Sequence, residues 1–324
     1  MSGPVIRKPL DGFGAIVMLL CCVCWGLQQV AVKVAAPSIS PVMQMGVRSL
    51  VAALLVCGLV LLRGATATTT PAAVAAGNPG ANPGGKLRDN LGGPRLFWPG
   101  IAAGVLFAGE FLFVSLGLGY TSASHMSVFL YTAPIFTVLG LHWLIPTERL
   151  GAAQWLGIGA AFAGIALAFA DGMGSGAHDW RNMLIGDAMG IVAGIMWAAT
   201  TVVVRSTALS EAPPTTTLLY QLATAAVLLV ALAAGSGQAV VTTMSGIAWL
   251  SMFFQGVIVA FVSYLTWFWM LRRYLASRIA VFSFLTPLFG VGFGVLLLHE
   301  PVGLRFIGGA MLVLAGIVLV NLRR

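Results

Sequence analysis

"WGLQQVAVKVAAPSISP", Trp25 to Pro41, returns in altered form as "WAATTVVVRSTALSEAP", Trp197 to Pro213. Trp25 and Trp197, Lys33 and Arg205, and Pro41 and Pro213 are each 172 residues apart. A second pair, "SASHMSVFLYTAPIF" (122–136) and "LASRIAVFSFLTPLF" (275–289), keeps an offset of 153 at Ser124/Ser277, Phe129/Phe282 and Pro134/Pro287. A long linker in the first half absorbs the fall from 172 to 153. Both halves close with an acid-bearing loop, "PTERLG" and "HEPVGL", before a Gly-rich last segment. The chain is a doubled unit, and the number of helices in each unit decides the fold.

That number comes from hydropathy. The 324 residues are 59% hydrophobic and 8% charged, whereas a soluble domain carries about 25% charged residues. An apolar run of about 20 residues spans a bilayer as a helix. A transmembrane barrel would instead alternate apolar and polar residues over strands of about 10. The runs here are long and apolar on all faces. They predict ten spans, roughly at 12–35, 41–63, 96–118, 123–145, 150–170, 182–205, 214–235, 247–271, 276–298 and 303–321. Five spans per unit is odd, so the second copy enters the membrane upside down. The expected fold is an all-α integral membrane protein with ten transmembrane helices in two inverted five-helix repeats, 1–172 and 173–324. A Gly-, Pro-, Thr- and Ala-rich linker at 64–95 has no core-forming pattern.

The formal charge of +8 raises the question of a nucleic-acid partner. Its distribution answers it. With the N-terminus inside, 13 of the 17 basic residues fall on internal segments, leaving Lys33, Arg48, Arg181 and Arg305 for the other side. This is the positive-inside pattern, so both termini are expected in the cytoplasm and no polyanion is needed. Arg7 and Lys8 precede an apolar stretch too long for a cleaved leader. Cys21 and Cys24 have redox-pair spacing but lie mid-span, away from the electropositive helix start such chemistry uses. No H-E-x-x-H, acid pair or nucleophile–base set argues for an enzyme, and nothing in the pattern calls for a metal or a cofactor.

Inverted repeats are a construction principle of carriers, whose halves rock about a shared central site. "CWGLQQVAVKVAAPSISPVMQMGVRSLVAALLV" and "TSASHMSVFLYTAPIFTVLGLHWLIPTERLGAAQWLGIGAAFAGIALA" resemble a first EamA domain of the drug/metabolite transporter superfamily. "SYLTWFWMLRRYLASRIAVFSFLTPLFGVGFGVLLLHEPVGLRFIGGAMLVLAGIVLV" resembles the end of a second. The resemblance implies a ten-helix metabolite transporter, with relatives that export amino acids and related compounds. The small four-helix multidrug relatives carry a glutamate in their first helix, and the first span here has none.

Polar residues at membrane depth are functional suspects. Trp25, Gln28, Gln29 and Lys33, spaced i, i+3, i+4, i+8, share one helix face, and Trp197, Thr200, Thr201 and Arg205 repeat the spacing. Either these stripes line a substrate path, or their amides and hydroxyls glue helices together. Lys33 and Arg205 sit at span ends, where long basic side chains snorkel. Arg48, two turns inside its span, could hold a substrate carboxylate, pair with Glu110 or reach the interface. Glu110 is an acid near the middle of a span and the candidate for proton coupling; a structural ion pair or a hydrogen-bonded, permanently protonated acid is the alternative. Tyr264 and Trp267 suit an amphipathic ligand, or ordinary packing. Pro134 and Pro287 interrupt their helices and free carbonyls near Tyr131 and Ser283. His125 and His142 read as lone histidines, and Asp187 as an acid favouring a helix start. Gly157, Ala161 and Gly308 allow close helix contact within the chain or between chains.

The expectation is a multi-pass inner-membrane carrier, monomer or homodimer, that moves a small-molecule substrate by alternating access. Amino acids or amines lead as substrates, with export as the direction and protons as a coupling ion. Drugs, nucleotide sugars or a passive channel are the alternatives.

Overall fold

The computed structural model describes residues 11–68, 93–144, 151–173, 180–239, 241–274, 283 and 285–321. Apolar runs without internal turn signals form helices because the backbone groups can then be satisfied within each segment. α1 is Gly12–Ala35, α2 Pro41–Thr68 and α3 Gly93–Gly117. α4 has two pieces, Ala123–Leu130 and Ala133–Leu144, followed by α5 (Ala152–Met173), α6 (Trp180–Ser206) and α7 (Pro214–Gly235). α8 runs through Gly246–Phe253, Phe254–Ser263 and Tyr264–Arg273, and α9 (Leu285–Leu298) and α10 (Leu304–Asn321) close the described chain.

Seven helices among the described residues are long and apolar enough to cross a membrane, and three shorter apolar helices accompany them. Large apolar side chains such as Leu54, Trp98, Trp143 and Leu296 face outward, as a lipid-facing surface requires and an aqueous one penalises. The protein is an integral membrane protein of α-helices.

Helix starts follow local chemistry. Asp11 caps α1 by accepting from the Gly14 N–H at 2.8 Å, Ser122 caps α4 by accepting from His125, and Ser245 caps α8 by accepting from Ala248. Such caps contribute about 1 kcal/mol each. The expected linker, 64–95, is trimmed at both ends. α2 continues to Thr68 because no proline intervenes, and α3 begins at Gly93, with Pro94 in its first turn, where a missing N–H costs nothing. Residues 69–92 of that expectation lie outside the described residues.

α4 breaks where proline predicts. The first piece ends at Leu130, Tyr131 and Thr132 form a turn, and Pro134 is the second residue of the new helix. Pro287 lies in the first turn of the described α9; residues 275–282 and 284, which would show a break before it, lie outside the described residues. α8 changes pitch instead: Phe254–Ser263 is π-helical, a geometry found mostly at functional positions.

Packing is intimate where side chains are small. α5 lies against α10, and a Cβ added at Gly164 would sit 2.6 Å from the Gly309 carbonyl. The small residues singled out on these two helices therefore serve contact within the chain. α9 packs on α1 and α4, so closely that a Cβ at Gly290 would lie 2.2 Å from the Ser127 hydroxyl. α6 packs on α3 and α4, α2 on α7 and α8, and α3 on α7. This arrangement carries the polar faces of α1, α2, α3 and α8 inward.

Candidate functional site

Buried polar groups concentrate where α1, α2, α3 and α8 meet. Gln44 starts the network one turn before Arg48. Its amide Nε2 donates to the Val32 and Ile39 carbonyls at 3.0 and 2.9 Å, satisfying the end of α1 and the turn after it. Its Oε1 accepts from Gln255 Nε2 at 2.9 Å, and Gln255 also donates to Ser251, whose hydroxyl donates to the Ala31 carbonyl. All three side chains are buried. The network fixes α8 against α1 and α2 and leaves Gln255 Oε1 without a hydrogen bond.

Arg48 is fully buried, and its guanidinium lies over the Phe111 ring, 4.0 Å from the centroid. α8 passes beside α2 here: a Cβ added at Gly256 would meet the Val51 side chain at 3.5 Å and the Arg48 Cα at 3.7 Å, ordinary contact distances. The Arg48 charge reaches both the Glu110 carboxyl and the Tyr264 hydroxyl. Yet none of its three nitrogens completes a hydrogen bond of ordinary geometry with the described residues. Of the sequence readings for Arg48, escape to the interface is excluded by this burial. Glu110 is buried one residue from Phe111. Phe107 packs edge-on against both Phe111 and Tyr264, so Arg48 and Glu110 stand among aromatic rings.

Two aromatic pairs flank this centre. Trp25 and Trp267 meet edge-to-face at 5.5 Å, and Trp25 Nε1 donates to Ser263 Oγ at 2.8 Å. Tyr131, at the α4 break, meets Trp197 at 5.2 Å and lies within electrostatic range of Glu110 and Tyr264. Gln28 and Gln29 are buried, and Gln29 Oε1 is unpartnered. Thus Arg48, Glu110, Tyr131, Trp197 and Tyr264 belong to one buried or half-buried region, Trp25 and Trp267 pack in a neighbouring cluster joined to it through Ser263, and no contact ties Gln29 to either among the described residues. Thr200 and Thr201 return their hydroxyls to their own helix, at the Met196 and Trp197 carbonyls (2.9 and 3.1 Å). Ser283 is half-buried just before α9.

Two polar clusters went unseen in the sequence. At the end of the bundle where α1 stops, Glu300 accepts from the Ala123 and Ser124 N–H groups at 2.7 and 2.9 Å and from the Ser124 hydroxyl at 2.7 Å. Lys33 Nζ lies 3.3 Å from the same carboxylate. Lys33 therefore does not simply snorkel; it pairs across 267 residues. Nearby, His125 is buried with its Nδ1 2.9 Å from Asp187 Oδ2, and the Thr121 hydroxyl donates to Asp187. The His125 ring stacks on Phe306 at 3.9 Å. His125 is thus neither lone nor exposed, and Asp187 bonds across to the α3–α4 turn rather than only to its own helix start. The signals were an acid in each closing loop and a histidine three residues after a serine cap. Neither pattern names its partner.

A family model of EamA-like transporters matches residues 12–170 and again 184–322. The chain belongs to the EamA-like transporter family. Among relatives of this EamA-like transporter, an uncharacterized transporter of Archaeoglobus fulgidus is 27% identical over 309 residues, covering 95% of the chain and 99% of that protein. The uncharacterized transporter YvbV of Bacillus subtilis is 25% identical over 218 residues; the match covers 64% of this chain and 66% of the length of YvbV. A solved crystal structure shares the fold with a TM-score of 0.61 at 16% identity, over 94% of this chain and 96% of that one. The EamA-like protein is a multi-pass membrane transporter of the drug/metabolite kind, and the resemblance read from its repeated stretches holds for both.

Proposed function

We propose that this transporter moves small polar metabolites, amino acids or related amines foremost, across the inner membrane by alternating access, with export as its direction. Its ten helices form two inverted five-helix repeats, with both termini in the cytoplasm. One observation carries the reading: buried polar groups from the two family matches face each other at depth. Gln44 meets Gln255, Trp25 meets Ser263, and Arg48 lies against the π-helical stretch of α8. A site shared by two halves is what a rocking carrier needs.

The helix pairings support the symmetry. Exchanging each helix for the one five places along turns the α1–α9 contact into α6–α4, α3–α6 into α8–α1, and α3–α7 into α8–α2. α2–α7, α4–α9 and α5–α10 map onto themselves. The Lys33–Glu300–Ser124 contacts then close the external end, joining residues of both halves.

Flux of labelled metabolites into proteoliposomes, with and without a pH gradient, tests the reading. Wild-type protein is expected to accelerate flux of an amino acid or amine, and Glu110→Gln to abolish the dependence on the gradient. Flux equal to that of empty liposomes across the panel sinks the substrate assignment. Gradient-driven uptake that survives Glu110→Gln removes Glu110 as the coupling site.

A further inference from the structure

Arg48 has no evident structural reason to be a charge. It is among the largest fully buried side chains of the described residues, and a guanidinium presents five N–H donors in a planar fork. An arginine kept for stability at such depth would be expected to fork onto a carboxylate, because buried donors left unpaired are destabilising and charged ones more so. Here the fork meets no carboxylate: no guanidinium nitrogen completes a hydrogen bond of ordinary geometry with a described residue, and its nearest polar company is the Tyr264 hydroxyl and the Glu110 carboxyl. Phe111 attracts the cation through its ring face but accepts no N–H fork.

The neighbours complete the pattern. Glu110, on α3, is buried within reach of the Arg48 charge but does not occupy the fork. Gln29 Oε1 on α1 and Gln255 Oε1 on α8 are acceptors with no donor. The region therefore holds an unmet planar donor ringed by Tyr264, Phe107 and Phe111, with the unmet Gln255 acceptor on the helix that passes beside Arg48. Buried polar groups without partners are where a bound molecule makes its hydrogen bonds.

We propose that Arg48 anchors the carboxylate of the substrate and that Glu110 receives its ammonium group, so that the transporter selects zwitterions. This deepens the proposed function and rests on it. Charge balance supplies the selectivity. A zwitterion leaves the net charge of the site unchanged, with each of its groups facing an opposite charge. A carboxylate without an amine would take Arg48 from Glu110 and strand the acid; an amine without a carboxylate would strand Arg48. Either leaves a buried charge uncompensated, a penalty that works as discrimination.

The test uses full-length protein in proteoliposomes, with counterflow of each standard amino acid. The best of these is then compared with its methyl ester, which keeps the amine, and its N-acetyl derivative, which keeps the carboxylate. Wild-type protein should bind both derivatives about 100-fold more weakly, the scale of a truncated buried charge pair. Arg48→Gln should bind the free acid and the ester alike, and Arg48→Lys should restore part of the preference. Glu110→Gln should erase the discrimination against the N-acetyl derivative. The assignment is overturned if folded Arg48→Gln still prefers the free acid by the wild-type factor. It is equally overturned if wild type itself does not distinguish acid from ester, a result that needs no variant to fold. Flux of an amine or another metabolite with none of any zwitterion would overturn the anchor and leave transport standing. Absence of all flux would overturn the function beneath it.

Discussion

Asp187→Ala is expected to destabilise the protein by about 3–5 kcal/mol, the range for removing one member of a buried pair. Asp187 is fully buried, and its two oxygens are taken by Thr121 and His125. Alanine would strand a hydroxyl and an imidazole nitrogen, each already sealed from water. His125 could not relax outward, because its ring is stacked on Phe306. The cluster therefore ties α6 to the start of α4 and to α10. Thermal unfolding in detergent reads the effect. Asp187→Asn should be milder, since an amide oxygen can still accept from Thr121. Pairing Asp187→Leu with His125→Phe should recover part of the loss, because apolar replacement of both partners removes the stranded groups. Unfolding of Asp187→Ala within about 0.5 kcal/mol of wild type, the ordinary scatter of surface changes, would show that the cluster contributes nothing.

Glu300→Ala is the second large effect, and it acts on conformation. One carboxylate holds the first turn of α4, the end of α1 and the loop before α10. His299, just before it, adopts a left-handed backbone (φ 53°), which costs about 1–2 kcal/mol and aims the acid inward. Under the proposed alternating access, losing the carboxylate should weaken the closed arrangement by about 2 kcal/mol, or about 30-fold in population. A cysteine in place of Ser127, buried under Gly290, reports the change in an otherwise cysteine-free protein. Its labelling by an impermeant maleimide should accelerate by that factor. Unchanged labelling would remove Glu300 from the closure.

The pH dependence of that closure has a definite sign. Burial alone would raise the Glu300 pKa. The Ala123 and Ser124 N–H groups, the Ser124 hydroxyl and the Lys33 ammonium outweigh it and hold the acid below its ordinary 4.5. A depressed pKa means stabilisation present above the ordinary value and lost only as pH falls through the lowered one. The ratio of Glu300→Ala to wild-type labelling, in which the pH-dependent thiolate fraction cancels, should therefore be equal at neutral pH and at about one pH unit above 4.5. A ratio that falls between those two conditions would mean that another group opens this end.

Architecture was the legible part. A membrane helix satisfies its own backbone, so a run of apolar residues is enough to announce it, and repeated spacings announce repeated units. The break in α4 was visible as Pro134, since the missing N–H is a local fact. The sequence also named Arg48 and Glu110, because a charge inside an apolar run is conspicuous without any knowledge of its neighbours. It could not choose among the roles open to Arg48.

The pairing of Lys33 with Glu300, of His125 with Asp187 and of Gln44 with Gln255 needed the tertiary structure. These partners lie 62 to 267 residues apart. Hydropathy and helical period record which face of a helix turns inward. They carry no record of which inward face meets which. Helix packing decides the partner of each buried polar group, and so decides which charges are tied into the scaffold.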